Sequence, residues 1–508
     1  MKIPFVLSRS VFSTQPRALQ IFTLFLGVTA IIFVAACVAE AQDARGDFAF
    51  LQDNTNTAGS PAPPPSPTPA AIPAQPTPAS RRAVSELLRD HPAPFSQRLV
   101  GVFGIFVLLG VLYLASNNRR AIEWRIVVVG LALQLIVALF ILKTEIGFRI
   151  FQRVGDAISA LLAFSNEGAK FVFGRLVDPT YFEQFGFIFF FTITATIIFV
   201  ASLFSILYHL GVMQRVVFAL AWVMQRTMKS ISGAEALTVA AEVFMGQTEA
   251  PLTIAPYIPR LTQSELLAMM IGGMGTVSGG ILAVYIGIGI DPVFLITTSV
   301  MAAPACLLVA KMLYPETEVP ETAGQVSMKA EKVDANIIDA TARGASEGLR
   351  LALNVMAVLI AFIAIVAMVN ALLGWLGGIT NLNALLGQPF SLQIIFSYLF
   401  APLAFVMGVP ARDVLAVGDL LGTKLVLNEL VAYSKLATIQ ANLDPRSVLI
   451  STFALCGFAN IASVGIIIGG IGGLAPERRS DLARLGWRAL LGGFMATCLT
   501  ATIAGILS

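Results

Sequence analysis

Charged residues are scarce in this chain. Only 12% of its 508 residues are Asp, Glu, Lys or Arg, whereas 56% are apolar. A soluble domain carries about 25% charged residues, so this composition excludes a soluble protein and indicates an integral membrane protein of apolar helices. The net charge of +3 gives no reason to expect nucleic acid as a partner.

Residues that bind metals or form disulfides are also few. The chain has two His residues and four cysteines, at Cys37, Cys306, Cys456 and Cys498. Their spacing matches neither a metal-ligand motif nor a disulfide framework. We therefore expect neither a cofactor nor a structural metal ion.

Residues 1–94 differ in composition from the rest of the chain. Basic residues are followed by an apolar run that ends in small residues near Ala41, which is typical of a secretory signal. We assign 1–41 to a signal peptide, with an uncleaved signal anchor as the alternative; V-A-A-C at 34–37 also resembles a lipoprotein-processing box. Residues 42–94, which are rich in Pro and Ala, are predicted to be a disordered periplasmic linker, and the membrane domain covers 95–508.

Eight stretches are long and apolar enough to cross a membrane as helices, which takes about 20 residues. They are 97–116, 124–143, 185–208, 264–290, 292–312, 348–374, 448–472 and 485–507. The loops at 117–125 and 476–488 are rich in Arg and are predicted to be cytoplasmic. An even number of spans then places both chain termini on the periplasmic side of a bacterial inner membrane.

Two further stretches predict re-entrant hairpins rather than simple spans. Residues 212–258 and 392–441 contain short apolar helices that meet at polar tips, GQTEAP at 246–251 and LNELVAY at 427–433. Glu249 and Glu429 correspond at an offset of 180 residues, and a glycine-broken span follows each hairpin. We therefore predict two inverted repeats, about 145–312 and 340–508, which is the usual arrangement around a midplane transport site.

The polar residues of these segments are candidates for a functional site. A carboxylate in the bilayer centre costs at least about 2.5–3.5 kcal/mol, so we interpret Glu249 and Glu429 as ligand or ion groups, with a structural ion pair as the alternative. For Glu429 the structural partner would be Lys424. Glu235 lies at a helix start, where its negative charge favours the helix dipole, whereas Glu242 lies too deep for that role. Glu235, Glu242 and Glu249 are seven residues apart, so they share one stripe if the helix continues to the hairpin tip.

Asn460 and Ser463 extend this set on one face of a Gly-rich segment, although small polar residues also serve as contacts between helices. Amides and carboxylates can pair with the edges of a base and with vicinal hydroxyls. Because no Lys or Arg converges with them in the sequence, the set predicts a neutral polar ligand.

Three motifs resemble those of the concentrative nucleoside transporter family: GQTEAPL at 246–252, NELVAY at 428–433 and ALCGFANIASVGI at 454–466. The resemblance covers about 97–508. It implies an all-α polytopic membrane protein with about eight transmembrane helices and two re-entrant hairpins, assembled as a homotrimer among membrane lipids. It also implies symport of a nucleoside with a cation, through an elevator-type motion of a transport domain.

The resemblance implies a role for each site residue. Gln247, Thr248 and Glu249 would bind the nucleobase, with Ile281 packing on it. The ribose would be held by Glu429, Asn460 and Ser463.

A cation site is implied beside the first hairpin tip. It comprises Glu242, the backbone of Met245, Thr276, the backbone of Val277, and Gly280. The sodium-coupled pattern of the family has Asn in place of Glu242 and Ser in place of Gly280. A lost hydroxyl ligand and a gained buried carboxyl group favour a proton as the co-transported ion, whereas Na+ stays open because carboxylates bind hard cations strongly.

Two other classes of function compete with a symporter. An uncoupled nucleoside-binding channel or sensor would use the same binding residues without accumulation of the substrate. An intramembrane enzyme is disfavoured, because His91 and His209 flank no suitable nucleophile and the matched acids lie on opposed hairpins.

Overall fold

The computed structural model describes residues 95–178, 188–323 and 334–508. Within these ranges the chain is helical, apart from loops and one isolated β-bridge between Ser232 and Ala323. The predicted all-α fold class is therefore confirmed. The predicted signal peptide 1–41 and linker 42–94 lie outside the described residues.

The helices of the first half follow one another with short connections. In chain order they are α1 (Phe95–Ala115), α2 (Trp124–Lys143), α3 (Glu145–Phe173), α4 (Phe189–His209), α5 (Val212–Met228), α6 (Gly233–Glu242), a 3₁₀ helix (Ala250–Arg260), α7 (Gln263–Gly275), α8 (Gly279–Gly287) and α9 (Pro292–Leu313).

The second half begins with a much longer helix. Its helices are α10 (Ile337–Ile379), α11 (Leu382–Leu386), α12 (Leu392–Val406), α13 (Val414–Val426), α14 (Glu429–Ile439), α15 (Pro445–Leu455), α16 (Ile461–Leu474) and α17 (Arg479–Leu507).

Seven helices of the described ranges are long and apolar enough to span a membrane, counting α7 and α8 together. The eighth predicted span, 448–472, consists of α15 and α16, which have 11 and 14 residues. At about 1.5 Å per residue neither piece alone crosses a hydrocarbon core of about 30 Å. The count of eight spans therefore stays a prediction.

Both glycine-rich spans are broken, as the sequence predicted. The first unwinds over 276–278 between α7 and α8, and the second over 456–460 between α15 and α16. The start of each break differs by the offset of 180 residues that relates the two hairpin tips. Non-helical backbone of this kind survives at membrane depth where protein buries it.

The two hairpins begin later than the sequence predicted. Lys229 has a left-handed backbone conformation (φ 48°) after α5, and Ser232 caps α6, so α5 is a separate helix. The first hairpin therefore pairs α6 with the 3₁₀ helix, and the second pairs α13 with α14. With 10 residues, α6 is about 15 Å long, half of the hydrocarbon core, as a re-entrant arm requires.

One helix was not predicted as an element. The 29-residue α3 carries charged side chains such as Arg149, Arg153 and Asp156 along an otherwise apolar sequence. Gly155 faces Pro292, since a methyl group on it would stand 3.3 Å from the proline ring. Hence α3 packs against the start of α9.

Burial differs sharply between the long helices. α9 and α17 are almost completely enclosed by other helices, whereas α10 exposes most of its apolar side chains, among them Ile360, Ile363 and Trp375. The two broken spans contact the enclosed pair: Gly275 of α7 approaches Cys306 of α9, and Gly493 of α17 lies against Met274. The two broken spans therefore lie in the centre of the bundle.

Candidate functional site

The tip of the first hairpin presents three of the predicted site residues. Gln247 is buried and its Oε1 has no hydrogen-bond partner among the described residues. Thr248 packs on α16, because a methyl group on Gly470 would stand 3.2 Å from the Thr248 Cβ. Glu249 is exposed, and its Oε2 accepts a hydrogen bond from the Gly246 backbone N–H at 3.3 Å.

The corresponding carboxylate of the second hairpin is buried and well held. Glu429 Oε1 accepts a hydrogen bond from the Tyr285 hydroxyl at 3.1 Å, and Oε2 accepts one from Asn460 Nδ2 at 3.2 Å. Glu429 is also the first residue of α14, whose N-terminus favours negative charge. Three independent contributions therefore fix the position of this carboxylate.

Two asparagine side chains cap the N-termini of the helices in this cluster. Asn428 Oδ1 accepts the Val431 N–H at 2.9 Å and begins α14. Asn460 Oδ1 accepts the Ser463 N–H at 2.9 Å and begins α16. Because the same Asn460 side chain both caps α16 and donates to Glu429, the three residues of the predicted ribose site lie together.

Helix α8 of the first half completes the cluster. Ile281 and Tyr285 are one turn apart on α8, and both side chains are buried. The Tyr285 ring lies 4.3 Å from the ring of Tyr433, centroid to centroid, and Tyr433 donates to the Thr452 carbonyl at 2.6 Å. Ile281 therefore lies on α8 one turn before Tyr285, the residue that contacts Glu429.

The two broken spans meet at their unwound segments. The Phe458 backbone N–H donates to the Thr276 carbonyl at 3.2 Å. A methyl group on Gly457 would stand 2.9 Å from the Met274 carbonyl oxygen. These contacts bring residues that are 182 and 183 apart in the sequence into one central region.

Glu242 is the most unusual polar group of the region. Its side chain is fully buried, and neither carboxylate oxygen has a hydrogen-bond partner of normal geometry among the described residues. The carboxylate lies over the last turn of α7, beside Gly272 and the backbone amide of Gly273. A buried carboxylate without a partner is costly unless it binds a cation or a proton.

The other predicted cation-site residues surround Glu242. Thr276 caps α7 and donates its hydroxyl to the Gly272 carbonyl at 2.9 Å. The Gly279 N–H donates to the Phe244 carbonyl at 3.0 Å, which holds the Phe244–Met245 backbone beside the start of α8. Val277 is buried, and the space next to Gly280 is open for 4 Å. The residue types fit a small cation or a proton, with Glu242 as the only charged candidate in the set.

The alternative interpretation of Glu429, an ion pair with Lys424, is wrong. Lys424 Nζ donates to the Ala454 carbonyl at 2.7 Å and to Thr497 Oγ1 at 2.9 Å. The lysine of this hairpin that forms an ion pair is Lys435, with Asp419. The reason is that α13 turns Lys424 towards α15 and α17, away from the hairpin tip.

The prediction that Glu235, Glu242 and Glu249 lie on one helical stripe is also only partly correct. α6 ends at Glu242, so Glu249 lies beyond the helix. Glu235 has the structural role predicted for it, since it forms a capping box with Ser232 and an ion pair of 2.5 Å with Lys311.

Sequence reasoning missed Tyr285 and Arg343. Tyr285 follows Ile281 by one turn in a Gly-rich segment, and that spacing was the available signal. Arg343, at the start of α10, lies within electrostatic range of Glu249 but is occupied by Asp334 at 2.6 Å and Glu347 at 3.0 Å. The ion pair between Arg343 and Asp334 holds the pKa of the Asp334 carboxyl group below its usual value. Thus Arg343 is not a free cation at the site.

The arrangement offers donors and acceptors without net positive charge. No hydrogen bond within the described ranges joins Gln247 or Glu249 to Glu429. N-termini of the short helices α8, α14 and α16 point to this region, which is typical of binding sites between broken transmembrane helices.

Comparison with known proteins gives matches along nearly the whole membrane domain. Family models describe the Na+ dependent nucleoside transporter N-terminus at residues 103–176, nucleoside recognition at 190–291 and the Na+ dependent nucleoside transporter C-terminus at 294–505.

Individual proteins match at similar levels. An uncharacterized transporter of Haemophilus influenzae is 42% identical over 80% of this chain and 97% of its own length. The sodium/nucleoside cotransporter 1 of Rattus norvegicus is 40% identical over 81% of this chain, which spans 64% of that relative's length.

Solved structures of the protein CNTnw also match. Its inward-facing, substrate-bound state has a TM-score of 0.75 at 38% identity, covering 80% of this chain and 97% of CNTnw. A doubly substituted CNTnw in an outward-facing state has a TM-score of 0.77. The motifs, the broken spans and these matches agree: the chain belongs to the family of Na+ dependent nucleoside transporters.

Proposed function

We propose that this protein is a secondary active symporter that imports nucleosides across a bacterial inner membrane, driven by a cation gradient. The observation that carries the proposal is the buried Glu429, held by Asn460 and Tyr285 where the two broken spans meet. The family membership and the names of the sodium/nucleoside cotransporters support the same reading.

The nucleoside would lie between the two hairpin tips. Glu429, Asn460 and Ser463 would hold the ribose, because each oxygen of Glu429 keeps the capacity to accept a further hydrogen bond from a hydroxyl group. Gln247, Thr248 and Glu249 would contact the base edge, and Ile281 would pack on its face. The unpartnered Oε1 of Gln247 supports a role as an acceptor for a ligand.

Glu242 would bind the coupling ion, for which we propose a proton. A proton neutralises a fully buried carboxyl group without further ligands, and Gly280 supplies no hydroxyl ligand for a metal ion. Na+ is the second candidate, because the family description and the rat relative name it.

Transport would proceed by an elevator-type motion within a homotrimer that has both termini in the periplasm. The solution of CNTnw in both inward-facing and outward-facing states supports a moving transport domain. The exposed apolar side of α10 supports contact with lipid or with other protomers. We propose 1–41 as a signal peptide, 42–94 as a periplasmic linker, and repeats at about 145–312 and 340–508.

Two other classes of function compete with the symporter, an intramembrane enzyme and an uncoupled nucleoside-binding channel or sensor. The family consists of transporters, so an intramembrane enzyme is excluded. A nucleoside-binding channel or sensor would equilibrate the substrate without accumulating it.

Uptake of radiolabelled uridine into proteoliposomes tests the proposal. We expect accumulation above equilibrium under an inward proton gradient without sodium, abolished by an ionophore that collapses the gradient. Accumulation with a sodium gradient alone, at symmetric pH, would replace the proton by Na+. Equilibration without accumulation under either gradient would overturn the symporter.

A further inference from the structure

Lys424 is a fully buried lysine that the proposed transport cycle does not yet use. Its side chain has no exposed surface, and its ammonium group donates to Ala454 and Thr497. The ion pairs formed by the described residues do not include it. Ala454 lies in the last turn of α15, whose carbonyl end carries partial negative charge. The ammonium therefore neutralises the end of the broken helix α15.

The equivalent helix end of the first half has the opposite arrangement. Helix α7 ends at Gly275, and the group that lies over its last turn is the carboxylate of Glu242. A carboxylate beside a helix C-terminus is unfavourable, and neither oxygen of this one has a hydrogen-bond partner of normal geometry among the described residues. At the offset of 180 residues, Glu242 corresponds to Gly422 on α13, two residues before Lys424.

Both charges belong to one buried region. Cys306 of α9 lies within electrostatic range of both Glu242 and Lys424. Glu429 is also within electrostatic range of Lys424. The two halves therefore differ at these corresponding helix ends: a lysine ammonium lies at the end of α15, whereas a carboxylate lies at the end of α7.

We propose that Lys424 is a tethered cation. In the second repeat its ammonium group permanently occupies the position at the end of the broken helix that the mobile coupling cation occupies in the first repeat. This inference rests on the proposed function. Its consequence is a transport cycle with one mobile cation per nucleoside, because only the Glu242 side needs neutralisation from solution. Lys424 is a positioning residue, which acts on the ribose site through the α15–α16 break and the field at Glu429.

The test uses the full chain in proteoliposomes. The slope of the logarithm of uridine accumulation against the cation driving force gives the coupling ratio, and we expect one for the unchanged protein. Lys424→Ala leaves a vacant space at the helix end, and we expect its uptake to fall about tenfold or more. Uptake should then recover in a saturable way when Na+ or methylammonium is added, since either ion can replace the lost charge.

Two control variants separate charge from packing. Lys424→Arg keeps the charge and should keep the coupling ratio and most of the uptake. Lys435→Ala removes the other lysine of the second hairpin, which pairs with Asp419, and should leave the coupling ratio unchanged and give no recovery of uptake when Na+ or methylammonium is added.

Each other outcome contradicts the inference. Normal uptake by Lys424→Ala without any response to added cations would overturn it, and so would a folded Lys424→Ala protein that no cation restores. If Lys424→Ala does not fold, a coupling ratio of two in the unchanged protein would still overturn it. Failure of the unchanged protein to accumulate uridine under any gradient would instead refute the proposed function.

Discussion

At the scale of single residues, the carboxylate of Glu429 is the polar group of the candidate site with the best-defined contacts. Tyr285 and Asn460 each donate one hydrogen bond to a different oxygen of it. A carboxylate has about four lone-pair sites, so the protein satisfies only part of its capacity. The remaining capacity suits the hydroxyl groups of a ribose.

Glu429→Gln should abolish uridine uptake. The amide keeps the shape of the side chain, but its NH₂ group would face a donor, either Asn460 or Tyr285, in place of an acceptor. Uptake by the purified variant in proteoliposomes checks this, with size-exclusion chromatography as the control for an intact, inserted protein. Uptake near the level of the unchanged protein would remove Glu429 from the ribose site.

Tyr285→Phe should weaken nucleoside binding and leave the fold intact. A hydrogen bond to a charged group contributes about 1.5–3 kcal/mol, so we expect KM for uridine to rise about tenfold or more, while the ring contact with Tyr433 remains. Tyr433→Phe is the matched control, since its hydroxyl donates to the Thr452 carbonyl and its loss should lower Tm rather than raise KM. Equal effects of both variants on KM would contradict this assignment.

The sequence singled out the carboxylates and amides of this candidate site but not its tyrosines. Glu249 and Glu429 stand out because charge is rare in an apolar chain. Tyr285 does not, since an aromatic residue in an apolar helix is ordinary, and its partner Glu429 is 144 residues away. The periodicity of a helix shows which residues share a face but not which faces meet.

At the scale of elements, glycines allow the hairpin and the broken span to approach each other. A methyl group on Gly272 would collide with the Glu242 carboxylate, and one on Gly273 would stand 2.9 Å from the Gln247 Cβ. Both glycines lie in the last turn of α7. The first hairpin therefore depends on a smooth surface at the end of the broken helix.

Gly272→Ala should displace Glu242 and impair both stability and coupling. Overpacking of this kind costs about 1–3 kcal/mol, which we expect to appear as a lower Tm together with reduced accumulation of uridine. Gly469→Ala is the control, because no atom lies within 4 Å of the position that its methyl group would take. An unchanged Tm and unchanged accumulation in Gly272→Ala would contradict the observed packing of Glu242.

The base of the first hairpin is held by a buried ion cluster. Lys311 pairs with Glu235 at 2.5 Å and with Glu316 at 3.4 Å, and it donates to Ser264 at 2.9 Å. Glu235 caps α6 through Ser232. One lysine of α9 therefore ties together the starts of α6 and α7.

Lys311→Met should destabilise the protein more than a surface substitution does. Removal of one partner from a buried ion pair costs about 3–5 kcal/mol, because the remaining charge is left unpaired. Thermal unfolding of the single variants and of the double variant with Glu235→Gln measures this. A double variant no more stable than Lys311→Met would contradict the pairing.

The boundaries of these elements were harder to predict than their existence. The sequence indicated both hairpins and both broken spans, because Gly and polar residues interrupt apolar runs. It merged α5 with the first hairpin, since the short break at 229–232 resembles the polar tip. The conformation of Lys229 and the capping box at Ser232, which separate the two helices, depend on backbone geometry that the hydrophobic pattern does not report.

At the scale of the whole molecule, corresponding elements of the two halves lie around one centre but carry different charges. The offset of 180 residues in the sequence predicted the matching of the tips and breaks. It did not reveal that the breaks contact each other through Thr276 and Phe458. Nor did it show that Lys424 and Glu242 occupy the two helix ends, since both depend on the three-dimensional packing of α9 and α17.

The central claim is that Glu242 couples the nucleoside to the cation gradient. The most direct measurement compares Glu242→Gln with the unchanged protein in two assays on the same proteoliposomes: gradient-driven accumulation of uridine, and exchange of uridine across the membrane without a gradient. The amide mimics a carboxyl group that cannot release a proton. We predict that the variant loses accumulation but retains exchange, and accumulation at the level of the unchanged protein would contradict the account.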